Sequence, residues 1–414
     1  MDEENPSQNS ISHSKNQREM HSLKGRIQHY NWGGNTFIPS LFQQTPDGQP
    51  AAEYWLGIHP GAPSQVVLGQ GASTTLQALI NSDKARYLGK AVKEQFGNLP
   101  YLLKILDVKD MLSIQVHPNK QAAEEGFKKE NELVIPLSAP NRNYKDDNHK
   151  PEMMVALSDF WLLHGFSPNI DQHLDDYGFL NGFKQIFHAE GIRGLYQRVM
   201  EMPQEEVDRL IAPHVQAIMP MYEANQLPKT SPDFWAARAV RTFCGDGHFD
   251  RGIFSIYLFN ILNLKPGEGI FQGAGLPHAY LEGQNIELMS NSDNVLRAGL
   301  TPKHVDIPEL LANTAFVPTI AEIIPGSLNK TVQPYPCPIA DFSLSAYFLR
   351  AGEKMEFTVS SPSIFLMLNG QVQWKGNTSE DLQGAAAFFS EPGERLFAEA
   401  IVDTNLFWAA VPQQ

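Results

Sequence analysis

The sequence holds only two cysteines, Cys244 and Cys337, in 414 residues. Two thiols build neither a disulfide framework nor a thiolate metal site, so a reducing compartment is expected, and any metal must use histidine, carboxylate or amide ligands. The chain has no run of eighteen apolar residues, which argues against a membrane-spanning helix. Its first stretch, Met1 to Gln17, is acidic and rich in Ser and Asn and lacks the apolar centre of a signal peptide, so a cytoplasmic location is expected. Positive charge is also short: a formal net charge of −14 disfavours nucleic acid and anionic membranes, both of which need a broad cationic footprint. Against that background a local Lys/Arg cluster is informative, because an anionic small substrate needs one.

What is present is ordinary for a soluble globular protein, with 42% hydrophobic and 19% charged residues. The length exceeds what one core usually organises, so two or three compact units are expected. Residues 1–20 read as a flexible tail. In residues 21–166, short apolar runs between Pro/Gly turns predict strands at Gln65–Leu68, Tyr101–Leu106, Met111–Val116 and Met153–Leu157. Residues 167–249 change character: Ile192, Leu195, Tyr196 and Val199 recur at helical spacing, then Val207, Leu210 and Ile211. A third helix is predicted from a Ser231 cap and Pro232 through Trp235, Ala239 and Val240. The strand pattern returns over Ile253–Leu264, with a turn at Pro266 and Gly267, and residues 250–324 complete the first unit. Beyond a Pro-rich stretch, residues 325–414 read as a second all-β unit: strands at Phe342–Phe348 and Ile364–Leu368, a hairpin turn at Asn369 and Gly370, then Gly384–Pro392 and Leu406–Val411. This unit contains no histidine, so no metal is expected in it and its role is scaffold or lid. The predicted fold class is mainly β with an α-helical insertion, as two barrels or jelly rolls.

The chemistry concentrates in three segments. Over Met111–His117 polar and apolar residues alternate, which puts Leu112, Ile114 and Val116 on one strand face and Ser113, Gln115 and His117 on the other. Facing a barrel lumen, Gln115 and His117 could reach one ion; a strand with its polar face in water would read the same way. Glu152 follows Pro151 into a strand and offers a hard oxygen, although a Glu beside a Lys is commonly a surface pair. His278 projects from a Gly/Pro-punctuated β segment, where a lone histidine is by default structural. Together Gln115, His117, Glu152 and His278 form a two-nitrogen, two-oxygen set that leaves room for a substrate oxygen; the imidazoles favour zinc, and iron or manganese stays open. Asn285, Glu287 and Met289 share a strand face, and the next loop brings Asp293, Arg297 and Lys303, the cationic cluster that could clamp a phosphate with the Ser113 hydroxyl.

These residues resemble the type I phosphomannose isomerases, zinc enzymes of the cupin superfamily. The resemblance runs through QHYNWG at Gln28–Gly33, AEYWLG at Ala52–Gly57, LSIQVHP at Leu112–Pro118, HKPE at His149–Glu152, GLPH at Gly275–His278 and SDNVLRAGLTPK at Ser292–Lys303. It implies a catalytic cupin interrupted by helices and followed by another cupin, one zinc held by Gln115, His117, Glu152 and His278, and Arg297 as an active-site arginine. It also implies the interconversion of mannose 6-phosphate and fructose 6-phosphate through an enediol, in the service of GDP-mannose biosynthesis. Such chemistry needs one base near two adjacent carbons, and Glu287 is the choice, with His149 and Lys150 for ring opening or proton shuttling. Ser113, Lys303, Tyr280 and Asp293 are expected to contact substrate. A monomer is expected, with no nucleic-acid or membrane partner. Two other readings of the fold are a sugar-binding cupin without catalysis and a metal-dependent cupin oxygenase; the first needs no base beside an ion, and the second usually has a more His-rich ligand set.

Overall fold

The structure is a computed structural model that describes residues 20–68, 72–245, 247–376 and 379–412. The tail expected at 1–20 lies outside these residues except for Met20. The described strands form two ten-stranded sheets, and their strand pairings are antiparallel. The expectation of a mainly β chain with closed barrels needs correcting. Among the described residues, helix and strand occur in near-equal shares and no closed barrel forms. Part of the extra helix lies inside the span read as strands, at Lys84–Phe96 and Lys120–Glu132. Both are polar on one side and carry only three buried residues each, so their apolar signal is sparse.

Three strands carry most of the chemistry. The long strand His278–Ser290 pairs with Tyr101–Val108 on one side and with Glu152–Ala156 on the other, and Glu152–Ala156 pairs in turn with Gly269–Gln272. Register fixes what meets: Lys104, Glu287 and Met154 form one row, Leu102, Met289, Glu152 and Gln272 the next, and Leu106, Asn285 and Ala156 a third. Because side chains alternate, these rows share one face. The residues between them, Leu103, Ile105, Met153, Val155, Ile286 and Leu288, turn the other way. They form a common core with Ile364, Leu366, Phe389 and Phe407 of the second sheet. One face of the sheet is thus cemented to its neighbour by apolar burial, and the other is free to hold polar groups.

Other sequence expectations are met or corrected locally. Ile192, Leu195, Tyr196 and Val199 are all buried in the helix Lys184–Glu201. Ser231 caps Pro232–Phe243, its hydroxyl accepting from the Asp233 N–H. The strand expected over Met111–Val116 shrinks to Gln115–Val116, because the Leu112 and Ile114 N–H groups go to the Tyr280 and Gly299 carbonyls, outside any regular ladder. Residues 253–258, read as strand, belong to the helix Gly252–Leu258, and the strand begins at Phe259. Every residue of that helix is buried, so no period marked it. Asn369 and Gly370 lie inside the strand Ser363–Lys375 at a register shift rather than at a hairpin turn. Gly370 has φ +101° there, and a Cβ would fall 2.0 Å from Thr404 Oγ1, so the bulge requires glycine.

Candidate metal centre and active site

His117 follows the two-residue strand Gln115–Val116, and its Nδ1 lies 2.8 Å from the Asn294 carbonyl. Asn294 is itself fixed: its amide nitrogen donates to the Asp146 and Asn148 carbonyls, and its amide oxygen accepts from the Lys145 N–H. His278 opens the long strand, with Nδ1 2.9 Å from the Leu276 carbonyl. A carbonyl only accepts, so both rings carry their proton on Nδ1 and present Nε2 as a lone pair. Glu152 stands between them. Its Oε1 is 3.3 Å from His117 Nε2 and its Oε2 is 3.3 Å from His278 Nε2.

These three side chains are buried, and their ligand atoms all lie within 4.8 Å of one another. His117 Nε2 is buried without an aligned hydrogen bond, so its closeness to Glu152 does not satisfy it. A buried lone pair beside a carboxylate and a second lone pair is the arrangement a divalent cation completes, and the donor set fits zinc. Burial pushes the His117 imidazole down to about 4, with the Lys150 ammonium adding to the effect. Burial would raise the Glu152 carboxyl, but Lys150, 3.0 Å away, and the two histidines hold it well below the carboxylate range. Both groups are therefore in the state that binds metal at neutral pH.

Gln115 lines the same cavity as Glu152, His278, Lys150 and Glu287. Its backbone pairs with His278 on one side and Arg297 on the other, and His278 pairs with His164 beyond. Leu112 also lines this cavity, while Met111, Ile114 and Val116 pack into the helical core. This corrects the strict alternation that grouped Leu112 with Ile114 and Val116, and the short strand explains it.

Beside the metal group sits a second cluster that the sequence reading only half recovered. Lys104 Nζ is 3.0 Å from Glu287 Oε2 and 3.3 Å from Glu53 Oε2, and the Trp55 indole N–H donates to Glu53 at 2.6 Å. The Tyr280 hydroxyl donates to Glu287 Oε1 at 2.9 Å and accepts from Gln272 Nε2 at 2.9 Å. Burial raises the Glu287 carboxyl even though Lys104 opposes it. Burial alone would lower the Lys104 ammonium, but Glu287 and Glu53 hold it above its usual range. Tyr280 was expected at the substrate; it lines the cavity, yet its hydroxyl is already directed at Glu287.

The remaining predicted residues fall into two groups. Lys150 lines the cavity, whereas His149 turns to Asp341, 2.9 Å away. Asp293 is held by His59, whose Nε2 is 2.9 Å from Oδ2, and His59 packs edge-on against Trp55. Arg297 and Lys303 are close enough to feel each other: burial lowers both, the Arg297 charge lowers Lys303 further, and no carboxylate among the described residues offsets either. Ser113 is half-buried on the irregular segment before Gln115.

Glu53, His59, Lys104, His164 and Gln272 were not singled out. A signal existed for two of them: Lys104 is the one charge in the apolar run Tyr101–Leu106, and His164 interrupts Phe160–Phe166. Glu53 and Trp55 lay inside a recognised motif without an assigned part.

Comparison with known proteins agrees with this geometry. Residues 20–169 match the family described as phosphomannose isomerase type I, catalytic domain. A mannose-6-phosphate isomerase of Shigella flexneri is 37% identical over 391 residues, covering 92% of this chain and 95% of that protein. The Homo sapiens mannose-6-phosphate isomerase is 32% identical over 385 residues, covering 84% of this chain and 87% of its own. A crystal structure of a histidine-to-alanine mutant of phosphomannose isomerase from Salmonella typhimurium superposes with a TM-score of 0.85 at 33% identity, covering 95% of this chain and 100% of that one. A zinc-bound mannose 6-phosphate isomerase structure gives 0.84 at 34% identity, with the same coverage. The chain belongs to the type I phosphomannose isomerase family and is an isomerase of that kind.

Proposed function

We propose that the chain interconverts mannose 6-phosphate and fructose 6-phosphate through an enediol, with one zinc ion held by Gln115, His117, Glu152 and His278. When bound there, zinc would act as a Lewis acid toward the oxygens at C1 and C2. The observation that carries the reading is His117 Nε2, buried without an aligned hydrogen bond beside Glu152, a residue that itself lines the cavity holding the Glu287–Lys104 pair.

Glu287 is the base. It takes the C2 hydrogen as a proton, the C–H electron pair becomes the C1=C2 bond as O1 takes up a proton, and the same carboxyl returns the proton to C1 while O2 gives up its hydroxyl proton and C2 becomes the carbonyl. Its raised carboxyl suits this, since a more basic carboxylate takes a carbon-bound proton more readily. Lys104 holds the carboxylate in place and supplies positive charge near the developing oxyanion. Lys150, with His149 behind it, serves ring opening. Arg297 and Lys303, cations without an offsetting carboxylate, receive the phosphate with the Ser113 hydroxyl, and Asp293 orients the sugar.

The catalytic unit in this reading comprises residues 21–166 and 250–324, with a helical unit at 167–249 and a cupin-like unit at 325–414. The protein works as a cytoplasmic monomer on a small sugar phosphate and feeds GDP-mannose synthesis; its net charge of −14 supports the lack of a nucleic-acid partner. A coupled assay of mannose 6-phosphate conversion, with zinc content measured on the same sample, tests the function. Turnover that rises with zinc occupancy supports it, and zinc-loaded protein that leaves the sugar phosphate unchanged overturns it.

A further inference from the structure

Among the described residues, two groups hydrogen-bond to the Glu287 carboxylate, and both donate to it. Lys104 Nζ lies on Oε2 at 3.0 Å, and an ammonium has no lone pair. The Tyr280 hydroxyl lies on Oε1 at 2.9 Å. A carboxylate only accepts, so the single phenol proton must point at Glu287. Gln272 Nε2, 2.9 Å from the same phenol oxygen, must then be the donor there. That orientation leaves Gln272 Oε1 buried with no hydrogen-bond partner among the described residues, a cost the fold accepts in order to present the amide N–H.

Lys104, Gln272, Tyr280 and Glu287 are all buried. The register explains why they converge, since Gln272 stands one row from Glu287 on the same sheet face. Once Glu287 has taken a proton, passing it outward through Tyr280 requires the phenol to release its own proton to an acceptor. On that side it meets an amide N–H. Through Lys104 a proton could pass on to Glu53, 3.3 Å from the same ammonium, but Glu53 is itself buried and held by the Trp55 indole N–H, so the proton stays within the cluster.

Building on Glu287 as the base, we propose that Tyr280 and Gln272 are positioning residues that confine the abstracted proton, so that the hydrogen leaving C2 returns to C1 rather than exchanging with water. The balance is internal: one C–H bond breaks at C2 and one forms at C1, the hydroxyl proton passes from O2 to O1 as the carbonyl moves from C1 to C2, and the carboxyl ends as it began.

The test uses mannose 6-phosphate deuterated at C2, converted by the zinc-loaded enzyme in ordinary water and sampled at low conversion for deuterium at C1 of the product. The wild type retains most of the label. Gln272→Glu, which offers the phenol an acceptor, and Tyr280→Phe, which opens Glu287 Oε1, each lower retention several-fold while zinc content stays unchanged. Gln272→Ala serves as a second probe of the same position if Gln272→Glu does not fold, and it lowers retention as well, because the vacated space admits water, which can accept the phenol proton. Complete washout in the wild type, or folded variants that keep the wild-type retention, overturns the proposal. Glu287→Gln separates it from the reading beneath it: near-normal turnover there removes the base assignment, whereas lost turnover with unchanged retention in the Tyr280 and Gln272 variants removes only the confinement.

Discussion

Lys104 and Glu287 stand directly opposite each other on neighbouring strands, with Nζ and Oε2 3.0 Å apart although 183 positions separate them in the chain. Glu53 approaches the same ammonium at 3.3 Å, so one buried cation holds two buried carboxylates. Breaking such a group from one side is costlier than never having built it, because the charges left behind stay out of water.

Lys104→Met therefore removes the cation and leaves Glu53 and Glu287 facing each other. The expected loss is about 3–5 kcal/mol of stability at neutral pH, read from the midpoint of denaturant unfolding on zinc-loaded protein. A loss within experimental scatter would show that the two carboxylates are protonated or solvated without the lysine.

Glu287→Gln keeps the shape and the hydrogen bond from Tyr280 but cannot accept a proton from carbon. The expected fall in kcat is about 10²–10⁴-fold, with zinc content unchanged and KM within a few-fold of the parent. Turnover close to the parent would assign the base elsewhere.

The cations at Arg297 and Lys303 should act differently from each other. Lys303→Ala weakens the hold on phosphate and so raises KM more than it lowers kcat. Arg297→Lys keeps the charge but loses the planar fork. A normal KM for Lys303→Ala across a range of salt concentrations would remove that residue from the phosphate contact.

His164 gives the metal-free protein an acid-labile point. Burial, and then the nearby His278, push its imidazole down to about 3, from an unfolded value near 6.5. Between those values the unfolded chain binds the extra proton, so the stability linked to neutral His164 is present above about pH 6.5 and drains away as pH falls toward 3. The loss is on the order of a few kcal/mol. In unfolding experiments from pH 7 to 4, His164→Asn should lose stability less steeply than the wild type; parallel curves would count against a buried neutral ring.

How much of this could be read beforehand depends on whether a residue's neighbours in sequence reveal its surroundings. His117, Glu152 and His278 sit in short polar motifs edged by Pro and Gly, and together they could be singled out as candidate ligands. Lys104 and His164 lie in runs whose every residue is buried, where the apolar pattern predicts a strand and says nothing of a polar lumen on one side. Their partners come from strands paired only in three dimensions. The helix Gly252–Leu258 was misread for a related reason: with all seven residues buried, neither a period of two nor one of 3.6 can be seen. At Asn369 and Gly370 the dipeptide read as a hairpin turn, but Gly370 takes its positive φ in a bulge against Thr404, which uses that conformation as readily as a hairpin does.

The most direct test of the account is anomalous diffraction at the zinc edge on crystals of the zinc-loaded protein. It predicts a single strong peak per chain, within bonding distance of His117 Nε2, His278 Nε2, a Glu152 oxygen and the Gln115 amide oxygen. A peak elsewhere, or no peak among these four side chains in protein that still converts mannose 6-phosphate, would contradict it.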